Sequence, residues 1–303
     1  MGSYSPTPPS REETVVREGH NSQPEILAPY AVMPSPQTVR KPRPSWLTAP
    51  ATYFLVGINC AVFLAMVARG VSIGTPTTAQ LMNWGANNAG SVLINGEWWR
   101  IVTAMFVHVG ILHLATNMWC LWNLGLLAEP LMGSTGVLAV YVLTGAAGNL
   151  LSTCVGWAKY NHDWASYHAA GGLSMAAVFP PGAGASGAVF GIAGALIVLL
   201  KSNRLPVPPD ELKKLRKSVI YFAALNLVLG FSINFGTQVL GYGLSIDNYA
   251  HLGGFTSGLL FAAPMVPRLG SPRKIFETRL RVAIGMVVGV LVLFGFFVAS
   301  FAG

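Results

Sequence analysis

Seven predominantly apolar stretches, at about 47–68, 108–128, 135–157, 184–200, 218–240, 248–266 and 282–301, dominate the chain. Stretches of roughly 17 to 25 apolar residues are what a helix needs to cross about 30 Å of hydrocarbon. A spanning segment must satisfy its own backbone hydrogen bonds, and a helix does so within itself. The expected fold class is therefore an all-α polytopic membrane protein with seven helical spans. Composition agrees: 52% of residues are hydrophobic and 10% charged, against about 25% charged in ordinary soluble domains.

The formal net charge is +8, which by itself suits a nucleic-acid partner. The basic residues, however, sit in the links between spans and not on a separable basic domain, so they report topology and no nucleic-acid partner is expected. Arg40, Lys41 and Arg43 precede the first span. Lys201, Arg204, Lys213, Lys214, Arg216 and Lys217 fill the link between spans four and five. Arg268, Arg273, Lys274, Arg279 and Arg281 lie between spans six and seven. Four and then two spans separate the three clusters, so all share one side, and the excess of Lys and Arg makes that side, with the N-terminus, cytoplasmic. A multi-pass protein of the plasma (inner) membrane is expected, with the lipid bilayer as its constant partner.

Residues 1–44 are rich in Pro, Ser and Thr, carry mixed charge (Arg11, Glu12, Glu13, Arg17, Glu18) and have no apolar run. They read as a disordered cytoplasmic tail, not as a secretory signal. The expected organisation is thus a tail at 1–44, the first six spans within 45–268, and a basic linker with the additional seventh helix at 269–303. The 70–107 link is long, yet it holds Trp84, Trp98 and Trp99. A partly embedded, interfacial structure is expected there, because Trp favours the membrane boundary.

Cys60, Cys120 and Cys154 lie inside apolar stretches and show no paired metal-ligand spacing, so they read as buried small apolar residues. The histidines lack the same-face pairing and adjacent carboxylate of a HExxH site. Neither a metal nor a cofactor is expected.

Ionisable and polar groups inside spans are costly, and those a membrane chain keeps point to function. His113 and Asn117 are four apart and share one helix face. His108, five before His113, falls about 140° away on an ideal helix and serves a different contact. The string Gly184-Ala185-Ser186-Gly187 opens span four after the breaker pair Pro180-Pro181. Ser186 then stands at a helix N-terminus, where free N–H groups favour negative charge developing on a bound carbonyl oxygen. Span six contains Asp247-Asn248-Tyr249-Ala250-His251-Leu252-Gly253-Gly254, and Gly254 with Gly258 makes a small face for close helix approach. Ser186 and His251 lie at matching depth, each a short way below the same surface. Serine needs a base within about 3 Å to become a nucleophile, and histidine is the usual one. No acid stands ready to orient His251, since Asp247 is one turn away on its own chain. A dyad is expected, with Asp247 at most accessory.

In this order the motifs resemble the rhomboid family of intramembrane serine proteases. The resemblance rests on Trp99-Arg100, on His108-x4-His113-x3-Asn117, on Gly184-x-Ser186-Gly187 and on Ala250-His251-x-x-Gly254, with Glu129 and Gly133 agreeing as well. It covers about residues 47–266 and implies a six-helix rhomboid core. It further implies hydrolysis of a peptide bond in or near the transmembrane segment of membrane-protein substrates. Ser186 is then the nucleophile and His251 the general base and acid. His113, Asn117 and the Ser186 backbone form the oxyanion site, with His108, Gly184, Gly187, Trp99, Arg100 and Gly254 in supporting roles. No metal or cofactor is implied. Two other readings compete: an inactive rhomboid-like membrane-protein binder, which lacks the serine or the base, and a small-solute transporter, which calls for charged midplane residues and an inverted repeat.

Overall fold

The computed structural model describes Gly2 and residues 48–169, 178–201, 208–240, 247–266 and 272–300, without the side chains of 164, 165, 167–169 and 229–240. The chain divides into the units Met1–Arg43 and Pro44–Gly303. Every helix below belongs to the second, and the expectation of a disordered tail at 1–44 falls, Gly2 apart, outside the described residues.

The helices are α1 (Pro50–Ala68), the short α2 (Thr78–Asn83), α3 (Ala89–Leu93) and α4 (Arg100–Thr103), the long α5 (Ile111–Ala169), α6 (Ser186–Leu199), α7 (Pro209–Leu240), α8 (Asn248–Ala262) and α9 (Arg273–Ala299). Helix α5 bends where Pro130 removes a backbone donor and Gly133 adopts φ 70°. Its two limbs, 111–132 and 134–169, correspond to spans two and three. With them, α1 and α6 to α9 account for the seven apolar segments of an integral, all-α membrane protein. By length and composition alone, Pro50–Ala68, Ile111–Asp163 and Arg273–Ala299 suffice to cross a membrane.

Three helices overrun their expected limits, each for a local reason. The second limb of α5 continues to Ala169 because no Gly or Pro interrupts it between Gly156 and Ala169. Helix α7 begins at Pro209 instead of near 218, with proline in its favoured first position and Asp210 and Glu211 in the first turn. The basic link between spans four and five is accordingly helical from Pro209 onward. Helix α9 starts at Arg273, where Arg273 pairs with Glu277 at 2.7 Å. The cysteines also differ from expectation: Cys60, Cys120 and Cys154 are half-buried, not fully enclosed.

Helix α6 occupies the centre. Eleven of its fourteen residues are buried, as a helix apolar on every side requires. It packs against α5 on one flank and α8 on the other, at distances only glycine permits. A Cβ at Gly254 or Gly258 of α8 would overlap the carbonyl oxygen of Gly187 or Gly191 of α6, and one at Gly194 would overlap that of Phe255. A Cβ at Gly148 of α5 would likewise overlap the Ala250 carbonyl. Backbones this close gain dispersion contacts that larger side chains would prevent.

Helix α1 has no capping side chain of its own; the distant Glu129 of α5 supplies one. Its carboxylate accepts from Ala51 N and Thr52 N, both at 2.9 Å, and from the hydroxyls of Thr52 and Ser134, both at 2.7 Å. A carboxylate over otherwise unpaired N–H groups satisfies them and complements the helix dipole. Glu129→Ala is expected to lower unfolding stability by about 3 kcal/mol, because it strands buried donors. Denaturation of the purified protein in detergent measures this directly.

The 69–110 link is folded. Thr77 and Gln80 form a reciprocal capping box on α2, and Asn88 caps α3. Arg100, only 8% exposed, pairs with Glu97 at 2.5 Å and donates to the carbonyls of Met82 at 2.8 Å and Ala86 at 3.0 Å. Its guanidinium lies 4.5 Å from the centroid of the Trp99 ring. Trp99-Arg100 is therefore a clasp that closes this link on itself.

Candidate active site

The segment leading into α6 is held from three directions. Asn87 and Gly182 exchange two backbone hydrogen bonds, both 2.8 Å, and Gly184 N donates to Ala104 O at 2.9 Å. Asn88 donates its side-chain amide to the Phe179 carbonyl. His108, expected inside span two, precedes α5 instead and is fully buried. Its Nδ1 faces Phe106 O at 3.3 Å, and its Nε2 accepts from Ala185 N at 3.4 Å. This pairing assigns the ring proton to Nδ1 and makes His108 a support for the N-terminus of α6. Ser186 is the first residue of that helix.

Across the glycine seam, Asp247 caps α8 by accepting from Ala250 N at 2.9 Å. One turn in, His251 points its ring at α6. The distance from Ser186 Oγ to His251 Nε2 is 2.9 Å, within reach for proton transfer. Phe190 stacks on the imidazole at 4.4 Å between centroids and 14° between planes. His251 Nδ1 is buried and has no hydrogen-bond partner among the described residues. The two oxygens of Asp247 are engaged elsewhere, by Ala250 N and by Ser152 Oγ. Among the described residues, the geometry is a Ser–His pair without a third, carboxylate member.

His113 and Asn117 do share a face. Asn117 Nδ2 donates to His113 O at 2.9 Å, and an amide nitrogen has a second proton to offer. The His113 ring lies 5.4 Å from that of His108, between centroids, and packs directly over Gly184. That glycine has φ +127°, and a Cβ there would stand 2.5 Å from His113 Cε1. The structure thus brings Ser186, His251, His108, His113 and Gly184 together. Trp99 and Arg100 lie outside this group, in the clasp described above. Gly184→Ala meets both backbone strain and the ring. If the site is the hydrolytic one that the sequence resemblance implies, the substitution is expected to cut turnover by about a hundredfold through misplacement of His113 and Ser186, as read from initial rates at unchanged protein fold.

Phe190, Ser152 and the Asn87–Gly182 bridge are site features that sequence reasoning missed. Phe190 had a usable signal: it is four after Ser186 and therefore on the same helix face. Ser152 and Asn87 had none, because their partners are remote in the chain. Among the described residues, no three His, Cys, Asp or Glu side chains converge as metal ligands do.

Residues 95–268 match the family profile described as Rhomboid domain. The chain is 31% identical over 244 residues to Rhomboid protease GluP of Bacillus subtilis (strain 168), covering 79% of this chain and 39% of that protein. It is 32% identical over 185 residues to RHOMBOID-like protein 1 of Arabidopsis thaliana, covering 61% and 39%. With Rhomboid protease AarA of Providencia stuartii the identity is 29% over 217 residues, 70% of each chain. The chain thus spans about four tenths of the length of the first two relatives.

Proposed function

Because the chain belongs to the rhomboid family, we propose that it is an intramembrane serine endopeptidase working through the Ser186–His251 dyad. The observation that carries this is the 2.9 Å contact between Ser186 Oγ and His251 Nε2 at the start of a buried helix. A 14-residue helix is about 21 Å long, less than the hydrocarbon thickness of about 30 Å. At least one of its ends therefore lies below a membrane surface.

In this mechanism His251 Nε2 takes the Ser186 proton as Oγ attacks the scissile carbonyl carbon. The resulting oxyanion is held by the Ser186 N–H, His113 and the free amide proton of Asn117. Collapse breaks the C–N bond while His251 returns the proton to the leaving nitrogen. Water then attacks the acyl-enzyme with His251 again as base, and the acid product leaves Ser186 protonated. Each oxyanion donor contributes about 3 kcal/mol to the transition state. Phe190 limits the imidazole to one plane, the part a carboxylate plays in a triad.

The substrate class is a transmembrane helix with small or helix-destabilising residues near one end, since a regular helix locks its peptide bonds in its own ladder. The N-terminus is cytoplasmic, the site opens to the outer face, and the plasma (inner) membrane is the location. Support for this orientation comes from the three basic clusters. Residues 45–268 form the protease core, 1–44 a tail and 269–303 a linker with the additional helix. The test uses the full chain in proteoliposomes with a single-span substrate and a fluorophosphonate. The expected result is product formation together with a phosphonate adduct mapped to Ser186. Neither product nor adduct would favour the binding or transport readings instead.

A further inference from the structure

A dyad lacks the acid that holds the base in a triad, so something else must keep the first turn of α8 in register with the start of α6. We propose that Asp247 is this positioning residue, acting through backbone and scaffold and not on the imidazole. The proposal rests on the dyad reading above.

Asp247 stands where three segments meet. Its Oδ1 accepts from Ala250 N at 2.9 Å, the residue directly before the base, while its carbonyl accepts from His251 N at 3.2 Å. Its Oδ2 accepts from Ser152 Oγ of α5 at 2.5 Å. Gly182, four residues before Ser186, lies against the same oxygen, so closely that a Cβ there would be 3.0 Å away. Gly182 is bridged to Asn87. Asn87 Nδ2 in turn donates to Asn149 O at 3.1 Å and Thr153 Oγ1 at 3.0 Å, on the same turn of α5 as Ser152.

The contacts close into a ring: one turn of α5, then Asn87, Gly182, Asp247 and back to α5 through Ser152. The segment entering the nucleophile's helix and the first turn of the base's helix are thereby referred to one rigid element. Lys159, one further α5 residue, places its ammonium 5.0 Å from the centroid of the neighbouring Tyr249 ring. With both oxygens of Asp247 bound away from His251, its influence on the base passes through the cap at Ala250.

The experiment compares Asp247→Ala, Asp247→Asn, Ser152→Ala and the Asp247→Ala/Ser152→Ala double variant in full-length protein. It measures kcat, KM and the rate of fluorophosphonate labelling, well below the thermal transition of each. Loss of both bonds in Asp247→Ala is expected to lower kcat by about a hundredfold with KM nearly constant, the signature of a misplaced catalytic pair. Asn caps a helix as well as Asp and can donate to Ser152, so Asp247→Asn is expected within about threefold of wild type. Ser152→Ala, which loses only the tie to α5, is expected near a tenfold loss. The double variant is expected to match Asp247→Ala, because both changes open one ring.

Asp247→Ala turning over within about twofold of wild type would overturn the proposal, since misplacement should cost far more. Asp247→Asn as impaired as Asp247→Ala would also overturn it, because the charge and not the cap would then be acting. If Asp247→Ala does not fold, Ser152→Ala at the wild-type kcat overturns it alone. Wild-type protein that is neither cleaving nor labelled at Ser186 removes the dyad reading and this one together.

Discussion

Ser186→Ala and His251→Ala are each expected to lower cleavage of a single-span substrate by about ten-thousandfold to a millionfold, with the double variant no worse than either. In the proposed mechanism the two side chains, 2.9 Å apart, work as a unit. Without the imidazole the hydroxyl keeps its proton and is a weak nucleophile; without the hydroxyl the imidazole has nothing to activate but water. What survives comes from the oxyanion donors and substrate binding, so KM is expected to move little. His113→Ala provides the contrast, with a loss of about a hundredfold corresponding to one oxyanion donor. Initial rates in proteoliposomes, with labelling by the fluorophosphonate as a second readout, measure all four. Cleavage by Ser186→Ala at the wild-type rate would place the hydrolysis at another residue.

Gly254→Ala is expected to cost about 3 kcal/mol of unfolding stability, at the upper end for overpacking. The added methyl has no soft neighbour to displace, because it would overlap the Gly187 carbonyl of the facing helix. The helices must separate, and their separation is also what sets the distance between Ser186 and His251. A displacement of about 1 Å is enough to reduce turnover a further hundredfold in the molecules that still fold. Stability and kcat should therefore fall together. Gly289→Ala in α9 is the matched control, since a Cβ there meets no described atom within 4 Å; its effect is expected within about 0.5 kcal/mol. Equal effects at the two glycines would refute the role assigned to the seam.

The local rules were legible wherever neighbours in sequence are neighbours in space. The apolar stretches marked the helices, Pro180-Pro181 marked the start of α6, and the gap between the stretches 108–128 and 135–157 falls on the bend of α5. The pairing of His113 with Asn117 follows from their spacing of four. Helix ends were less legible, because a polar extension such as 209–217 carries no apolar signal, although Pro209, Asp210 and Glu211 mark its beginning. His108 was read as part of span two, but Gly110, with φ +132°, lies between it and the helix.

Hydropathy, breakers and small-residue spacing are local properties, so the membrane class, the seven helical segments and the candidate pair Ser186 and His251 were legible in the chain. What joins them is not local and came from the packing. The cap of α1 comes from Glu129, some 77 residues away. The plane of the base comes from Phe190 on another helix. Asp247, read as accessory from its position in the chain, proves to be hydrogen-bonded to Ser152, 95 residues earlier. Long-range contacts of this kind depend on how close the backbones pass. The glycine carbonyls of α6 and the bare Cα atoms of α8 set that distance, so seven apolar stretches become a site only where two of them touch.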